Sequence, residues 1–145
     1  MMNILSGVMI AASLTLIAAT SQAAESCPML SKIQQDNAGG YFAAGEKGKW
    51  AGTSSEEIAK NLKVLSFEVA VVTQENDKAS QKLQYCIYNL ENKNKINMRF
   101  SDKSGNEVTV KTEGSYWKKE DGYFGMINNA CEKTAPENCT FTIVE

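Results

Sequence analysis

Residues 83–90 have bulky side chains at both parities of an extended chain, a pattern typical of a strand that is covered on both faces. We find no other strand-like run with this property. One face would carry Leu83, Tyr85 and Ile87, and the other Cys86, Tyr88 and Leu90. We therefore predict that residues 83–90 form the central strand of a sheet.

Other runs show the period-two alternation of strands. Residues 65–73 are rich in β-branched side chains and should pair with the central strand across a polar connection. Residues 96–100 and 108–111 alternate cleanly between apolar and polar positions, which predicts antiparallel strands with one solvated face and a turn between them. Residues 41–44 and 49–52 flank a glycine-bounded turn and predict a small hairpin.

Two segments show helical spacing instead. The first begins at Pro28, which suits the first position of a helix, and its apolar face consists of Met29, Leu30 and Ile33. The second begins with a capping box formed by Ser54 and Glu57, and its apolar face consists of Ile58, Leu62 and Leu65. Together these elements predict an α+β fold: a mainly antiparallel β-sheet of about six to eight short strands, with one or two short helices on one face.

Residues 1–23 have the features of a secretory signal peptide. An apolar stretch ends at Ala19 and is followed by the small-x-small motif Ser21-Gln22-Ala23, which predicts cleavage before Ala24. The stretch is shorter than the ~20 apolar residues of a membrane span, so an uncleaved anchor is the less favoured alternative. Residues 24–145 then form a single domain, large enough to bury one core.

The cysteine count predicts a cross-linked domain. Four cysteines in an exported chain imply two disulfides. Cys131 and Cys139 flank a short loop and continue the inward parity of their strands, so they can face each other across a hairpin. Cys27 and Cys86 would then join the start of the domain to the central strand. Chain-entropy arithmetic assigns about 4.3 kcal/mol to this longer closure and about 2.6 kcal/mol to the shorter one.

Composition excludes several classes of chemistry. Lys and Arg total 15 and Asp and Glu total 17, and the two signs are interspersed, so nucleic acid and anionic membrane surfaces are disfavoured as partners. The sequence contains no histidine, which removes histidine-dependent triads and most zinc sites. Oxidised cysteines would leave no thiolate nucleophile. We therefore expect a protein that is not an enzyme and that needs no cofactor and no metal.

Two polar features of the sequence are candidate sites: a carboxylate within a strand and a partial match to a calcium-binding loop. Glu68 interrupts an apolar strand, and burial would raise its pKa, but an outward-facing residue at the solvated end of the strand is the favoured interpretation. A calcium-loop count is matched in part by Asp102, Ser104, Asn106 and Glu113. A plain hairpin turn is favoured there because Gly105 stands too early for the loop glycine and a strand-like alternation follows.

Aromatic side chains are the remaining candidates for binding. A stacking surface for a sugar or for a partner's side chain could be formed by Trp50, Tyr116, Trp117, Tyr123 and Phe124. Filling of the core is the favoured alternative for a domain of this size. Trp117 precedes a charged run, residues 118–121, and is the one that we expect nearest to solvent.

The first part of the domain contains several short motifs. They are Cys27-Pro28, Gly40-Tyr41, Gly48-Lys49-Trp50-x-Gly52, Phe67-x-x-Ala70 and Leu83-Gln84-Tyr85-Cys86-x-Tyr88. This pattern resembles a family of small exported gammaproteobacterial proteins of unknown function, over roughly residues 27–100. The style of the sequence also resembles small substrates of type II secretion. The resemblance implies a secreted or periplasmic location and assigns no functional residue.

These observations predict a secreted or periplasmic interaction module that binds a host or envelope component and has a role in virulence. The partner would be a protein or a glycan, with no nucleic acid and no membrane insertion after signal cleavage. One alternative is an inhibitor of a foreign hydrolase such as lysozyme, for which residues 132–138 would supply a protruding loop. The other is a carboxylate-dependent glycan hydrolase, which needs two acids about 5 to 10 Å apart in a cleft.

Overall fold

The computed structural model describes residues 24–54, 62–91 and 93–145. Within these residues the chain forms eleven strands, all paired antiparallel, and its connections include short 3-10 turns at Leu30–Lys32, Tyr123–Gly125 and Pro136–Asn138. The strands are β1 Glu25–Ser26, β2 Gln34–Gln35, β3 Tyr41–Ala44, β4 Gly48–Ser54, β5 Val64–Gln74, β6 Gln81–Leu90, β7 Lys95–Asp102, β8 Thr109–Glu113, β9 Trp117–Asp121, β10 Ile127–Glu132 and β11 Thr140–Val144.

Strand β6 is the centre of the sheet, as predicted for residues 83–90. Along one edge it pairs with β5, and along the other edge it pairs first with β8 and then with β7. Three arms therefore leave β6: one passes through β7, β4 and β3 to β2, the second through β8 and β11 to β1, and the third through β5 and β10 to β9. The sheet curls into a half-barrel. Register shifts along the β5–β6 pairing are of the kind that bends strands.

The segment between β7 and β8 is a turn but not a hairpin. Asp102 Oδ1 accepts hydrogen bonds from the backbone N–H groups of Ser104 and Asn106, each at 2.9 Å. Strand β7 pairs with β4, whereas β8 pairs with β6 and β11. The predicted hairpin was therefore wrong, because alternation identifies strands without identifying their neighbours.

The core lies on the concave side of the curled sheet. Trp50 of β4, Phe100 of β7 and Phe141 of β11 meet there, with ring centroids 5.2 to 6.2 Å apart. Because β4 and β7 belong to one arm and β11 to another, this aromatic cluster holds two arms together. The predicted inward positions at Ile96 and Val110 are buried, in agreement with the alternation.

Only one face of β6 is fully buried. Cys86, Tyr88 and Leu90 are at most 2% exposed, whereas the opposite side chains at positions 83, 85 and 87 are half-buried. On that convex side the Arg99 guanidinium lies 5.7 Å from the centroid of the Tyr85 ring. The prediction of full cover on both faces was wrong for the convex face.

The predicted α+β class was also wrong, because the described residues contain no α-helix. At the first predicted helix, Leu30–Lys32 forms one 3-10 turn, and Met29 and Ile33 beside it are extended. So short an apolar pattern does not offset the cost of helix nucleation. The chain is also fixed at Cys27 and is drawn into β2, which pairs with β3. The curled sheet itself covers the core, which removes the need for a helical lid.

The second predicted helix falls mainly on residues 55–61, which lie outside the described residues, as does the predicted signal peptide. Leu65, assigned to that helix from the sequence, lies in β5. Its helical spacing from Leu62 is coincidental, because the β-branched run that follows extends the strand to it. In the described part of the chain, no helix has the length and apolarity needed to cross a bilayer.

The predicted disulfide pairing is present. Cys27 and Cys86 are bonded with an S–S distance of 2.02 Å, and Cys131 and Cys139 with 2.09 Å. The first bond fastens the start of the domain to the buried face of β6, where the Tyr88 hydroxyl also donates to the Pro28 carbonyl at 2.6 Å. The second bond does not span a hairpin, because β10 and β11 pair with different arms.

Candidate functional site

The predicted aromatic candidates do not form one surface. Trp50 is 1% exposed and belongs to the core, so it is not available for stacking. Tyr116 is exposed just before β9, and Tyr123 is exposed just after it. The two tyrosines are thus separated by the length of β9. Trp50 therefore fills the core, in agreement with the favoured interpretation, and does not join the exposed tyrosines in one stacking surface.

Trp117 has a structural contact that explains its place. Its side chain is half-buried, and its indole N–H donates to the Thr140 carbonyl oxygen at 2.9 Å. Since Trp117 begins β9 and Thr140 begins β11, this hydrogen bond connects the last strand of one arm to the middle strand of another. The residue predicted to be nearest to solvent instead helps to close the half-barrel.

The two most exposed aromatic residues of the described chain lie in the loop between β9 and β10. This loop, residues 122–126, has the sequence Gly-Tyr-Phe-Gly-Met, and we call it the aromatic tip. Phe124 is 101% exposed, Tyr123 is 86% exposed, and Met126 is exposed as well. Hairpin loops are ordinarily polar, and the phenol hydroxyl is the only polar side-chain group in this one. The aromatic tip is therefore the candidate binding site.

The backbone of the aromatic tip holds these side chains outward. The Gly122 N–H donates to the Met126 carbonyl oxygen at 2.8 Å, and the Met126 N–H donates to the Tyr123 carbonyl oxygen at 3.1 Å. Phe124 has φ 56° and ψ 35°, and Gly125 has φ 78°. A left-handed conformation costs a non-glycine residue about 1–2 kcal/mol. Strain of this kind concentrates at functional sites.

Buried amide groups fix the base of the aromatic tip. Asn129 Nδ2 donates to Gln74 Oε1 at 3.0 Å, and Gln74 Nε2 donates to the Ala79 carbonyl oxygen at 3.1 Å. Both amide side chains are buried, so their hydrogen bonds are costly to break. This chain of bonds ties β10 to the end of β5 and to the loop that leads into β6.

The ends of three strands place charged residues around the aromatic tip. Ile127 of β10 lies between Gln74 of β5 and Asp121 of β9 in the register of the sheet. Neighbouring strands are about 4.8 Å apart, so the loop after Gln74 emerges beside the aromatic tip. The exposed charged residues at this end include Glu75, Asp77, Lys78, Lys82, Glu120 and Asp121.

A groove near the start of the domain is a second concave feature. It has a volume of about 1180 Å³ and is lined partly by the exposed side chains of Met29 and Phe42. Glu25 lies buried at its wall and accepts a hydrogen bond from the Lys47 N–H. Burial raises the pKa of Glu25 above its usual value. This carboxyl group therefore has a structural partner in the turn between β3 and β4.

The polar candidates from the sequence have local partners. Glu68 is paired with Lys95, with an Oε1–Nζ distance of 2.7 Å at the surface, which agrees with the outward-facing interpretation. Asp102 is engaged by the amides of its own turn, and Glu113 Oε1 accepts from the Thr142 hydroxyl at 3.4 Å. Across residues 24–54, 62–91 and 93–145, no cluster of three or more acidic or cysteine side chains is arranged to hold a metal ion.

In the loop proposed from the sequence for an inhibitor, residues 132–138, Pro136 is buried, and the chain after the loop is bonded through Cys139 to Cys131. Its exposed residues include Glu132, Lys133 and Glu137. The aromatic tip differs because its exposed side chains are apolar or aromatic. The signal that could have identified it is a loop made of glycine, aromatic residues and Met126, placed directly after a charged strand.

Comparison with known proteins gives a family but no activity. No curated protein and no solved structure matches the chain. The model of a family of proteins of unknown function, DUF3757, matches residues 20–142. This match covers most of the chain and includes every strand of the half-barrel except the end of β11. The protein therefore belongs to the DUF3757 family.

Proposed function

We propose that this protein is an exported, non-enzymatic interaction module that binds a host or envelope component through the aromatic tip. The observation that carries the proposal is the exposure of Tyr123 and Phe124 on a loop whose backbone conformation is fixed by hydrogen bonds. Residues of this type supply large contact areas at a small cost in side-chain entropy. A loop ordered before binding also loses less entropy on association.

Export to the periplasm or beyond the cell is part of the proposal. Its support is the pair of disulfides, which form and persist in oxidising compartments, together with the signal-like residues 1–23. The resemblance to small type II secretion substrates agrees with this location. A virulence role would follow if the partner belongs to a host.

The aromatic side chains of the tip can contribute a large share of the binding free energy of a complex. Full burial of a side chain such as Phe contributes about 1.5–3 kcal/mol. Tyr123 and Phe124 together would therefore contribute on the order of 3–6 kcal/mol. Removing both should weaken binding by roughly 100-fold or more, since each 1.4 kcal/mol corresponds to about tenfold in affinity.

Photo-crosslinking tests the proposal directly. We would place p-benzoylphenylalanine at position 124 and, in a control protein, at position 65, because Leu65 is also exposed but lies at the far end of β5. Each protein would be irradiated with isolated bacterial envelopes and with host cells. We expect specific adducts from position 124 that disappear when Tyr123→Ser is added. Equal adducts from both positions, or none, would refute the tip as the binding site.

Inhibition of a foreign hydrolase is a second candidate that the protruding shape of the aromatic tip favours. A loop that inserts into an enzyme's cleft would act in this way. Lysozyme activity measured with increasing amounts of the intact protein and of the Tyr123→Ser/Phe124→Ser variant tests it. Inhibition by the intact protein alone supports this candidate, and equal inhibition or none excludes the tip as an inhibitor of lysozyme.

A further inference from the structure

The aromatic tip presents a convex apolar surface with an unpaired backbone segment. Among the described residues, the N–H and carbonyl groups of Phe124 have no hydrogen-bond partner. Burying these groups without partners would be costly, and the hydrocarbon of a bilayer offers none. A concave protein surface can receive the ring and hydrogen-bond the backbone at the same time. These features favour a protein pocket over lipid.

The charges beside the aromatic tip are predominantly acidic. Glu120 and Asp121 immediately precede it on β9, and Glu75 and Asp77 lie on the neighbouring loop between β5 and β6. All four carboxylates are exposed, and the nearby exposed positive charges are Lys78 in this loop and Lys82 at the start of β6. Lys118 and Lys119 lie farther back along β9. The carboxylates therefore border the apolar centre, in the arrangement of a charged rim around a buried contact.

We infer that the partner of the aromatic tip is a protein whose apolar pocket is bordered by basic side chains; this rests on the proposed function. Phe124 would occupy the pocket, and Tyr123 would cover its edge. The carboxylates of Glu120 and Asp121 would face Lys or Arg side chains on the partner. Complementary rim charges speed association and exclude wrong partners, and salt screens their effect. Anionic lipid headgroups would be repelled by the same carboxylates.

The test uses the position-124 crosslinker in three charge backgrounds: unchanged, Glu120→Lys/Asp121→Lys, and Lys118→Glu/Lys119→Glu. These four residues are exposed on the same strand, so the two reversals change the same number of charges with opposite sign, one pair beside the tip and one farther from it. Adducts would be collected in low and high salt and mapped by mass spectrometry. In parallel, vesicles of phosphatidylcholine, with and without phosphatidylglycerol, would be sedimented with the intact protein and the Tyr123→Ser/Phe124→Ser variant.

We expect protein adducts that map to an apolar pocket flanked by Lys or Arg. Their yield should fall about tenfold with Glu120→Lys/Asp121→Lys or with high salt, and should not fall with Lys118→Glu/Lys119→Glu. Adducts that are insensitive to both charge reversals and to salt would overturn the basic rim while leaving the tip as the binding site. Tip-dependent sedimentation with vesicles would show a lipid partner and overturn the inference. If the protein with unchanged charges gives no tip-dependent adducts, both this inference and the proposed function are overturned.

Discussion

The two hairpin loops bounded by glycine differ in what they contact. In the turn between β3 and β4, a Cβ at Gly48 would lie 2.1 Å from the Ser101 carbonyl oxygen, and the Lys47 N–H is held by buried Glu25. In the aromatic tip, a Cβ at Gly125 would have no atom within 4 Å. The first loop uses glycine to approach other chain segments closely. The second uses it to reach a left-handed conformation in open solvent.

This difference separates a loop that stabilises the fold from one that is presented to a partner. The β3–β4 turn is joined to β1 through Glu25, and β1 is anchored by Cys27 two residues later. The aromatic tip has a fixed base but no contact beyond its own hairpin at Phe124. Substitutions in the first loop should change stability, and substitutions in the second should change binding.

The largest effect is expected from the disulfide that anchors β1. Replacing Cys27 and Cys86 with Ala should lower the free energy of unfolding by about 4.3 kcal/mol, against about 2.6 kcal/mol for Cys131→Ala/Cys139→Ala, because the first bond closes the longer loop. Denaturant titration measures both. Hydrogen exchange should rise at residues 45–48 and remain unchanged at residues 122–126 in the Cys27→Ala/Cys86→Ala protein. Equal losses from the two pairs would contradict this expectation.

The second largest effect is expected from substitution of the glycines, which should reduce stability more in the β3–β4 turn than in the aromatic tip. Gly48→Ala forces a Cβ against the Ser101 backbone and the Phe100 ring, and overpacking of this kind costs about 1–3 kcal/mol or more. Gly125→Ala meets no atom and pays only for its left-handed φ of 78°, about 1 kcal/mol. Thermal unfolding of the two variants gives the order. A larger loss from Gly125→Ala would show that the aromatic tip contributes to the stability of the fold.

Removal of the exposed aromatic side chains should change stability little. Tyr123→Ser/Phe124→Ser should alter the free energy of unfolding by no more than about 0.5 kcal/mol, because surface side chains without partners contribute little. Trp50→Ala is the buried control and should cost about 3–5 kcal/mol, since Trp50 packs against Phe100 and Phe141. Both values come from urea titration. A strongly destabilised tip variant would mean that these aromatics pack within the fold.

The smallest effect concerns pH. Burial raises the pKa of Glu25 above its reference value of 4.5, so the folded protein binds this proton more tightly than the unfolded chain does. Stability from this group therefore increases as pH falls through the folded pKa, and is absent above it. As the pH is lowered from about 7 to 4.5, the unfolding temperature of the natural protein should rise relative to that of the Glu25→Gln variant. A relative decrease over this range would have the wrong sign.

Local patterns in the sequence predicted the local structure but not the arrangement of the arms. Alternation identified β5, β7 and β8, bulky side chains at both parities identified β6, and inward parity at Cys131 and Cys139 identified their bond. The sequence does not show that β7 and β8 share one edge of β6, because that choice depends on the curl of the whole sheet. The same curl buries Trp50 and half-buries Trp117, while it leaves Tyr123 and Phe124 in solvent.

The first and the last strand of the described chain pair with each other: Glu25 of β1 lies opposite Phe141 of β11, and Ser26 lies opposite Thr140. Pairing between such distant positions forms slowly, because a long chain must be closed before the contact is gained. The N-terminal segment can form its disulfide to Cys86 and the Glu25 contact with Lys47 earlier, but the ladder hydrogen bonds of β1 require β11. The backbone pairing of β1 with β11 is therefore expected to form late in folding, after the part of the sheet against which β11 docks.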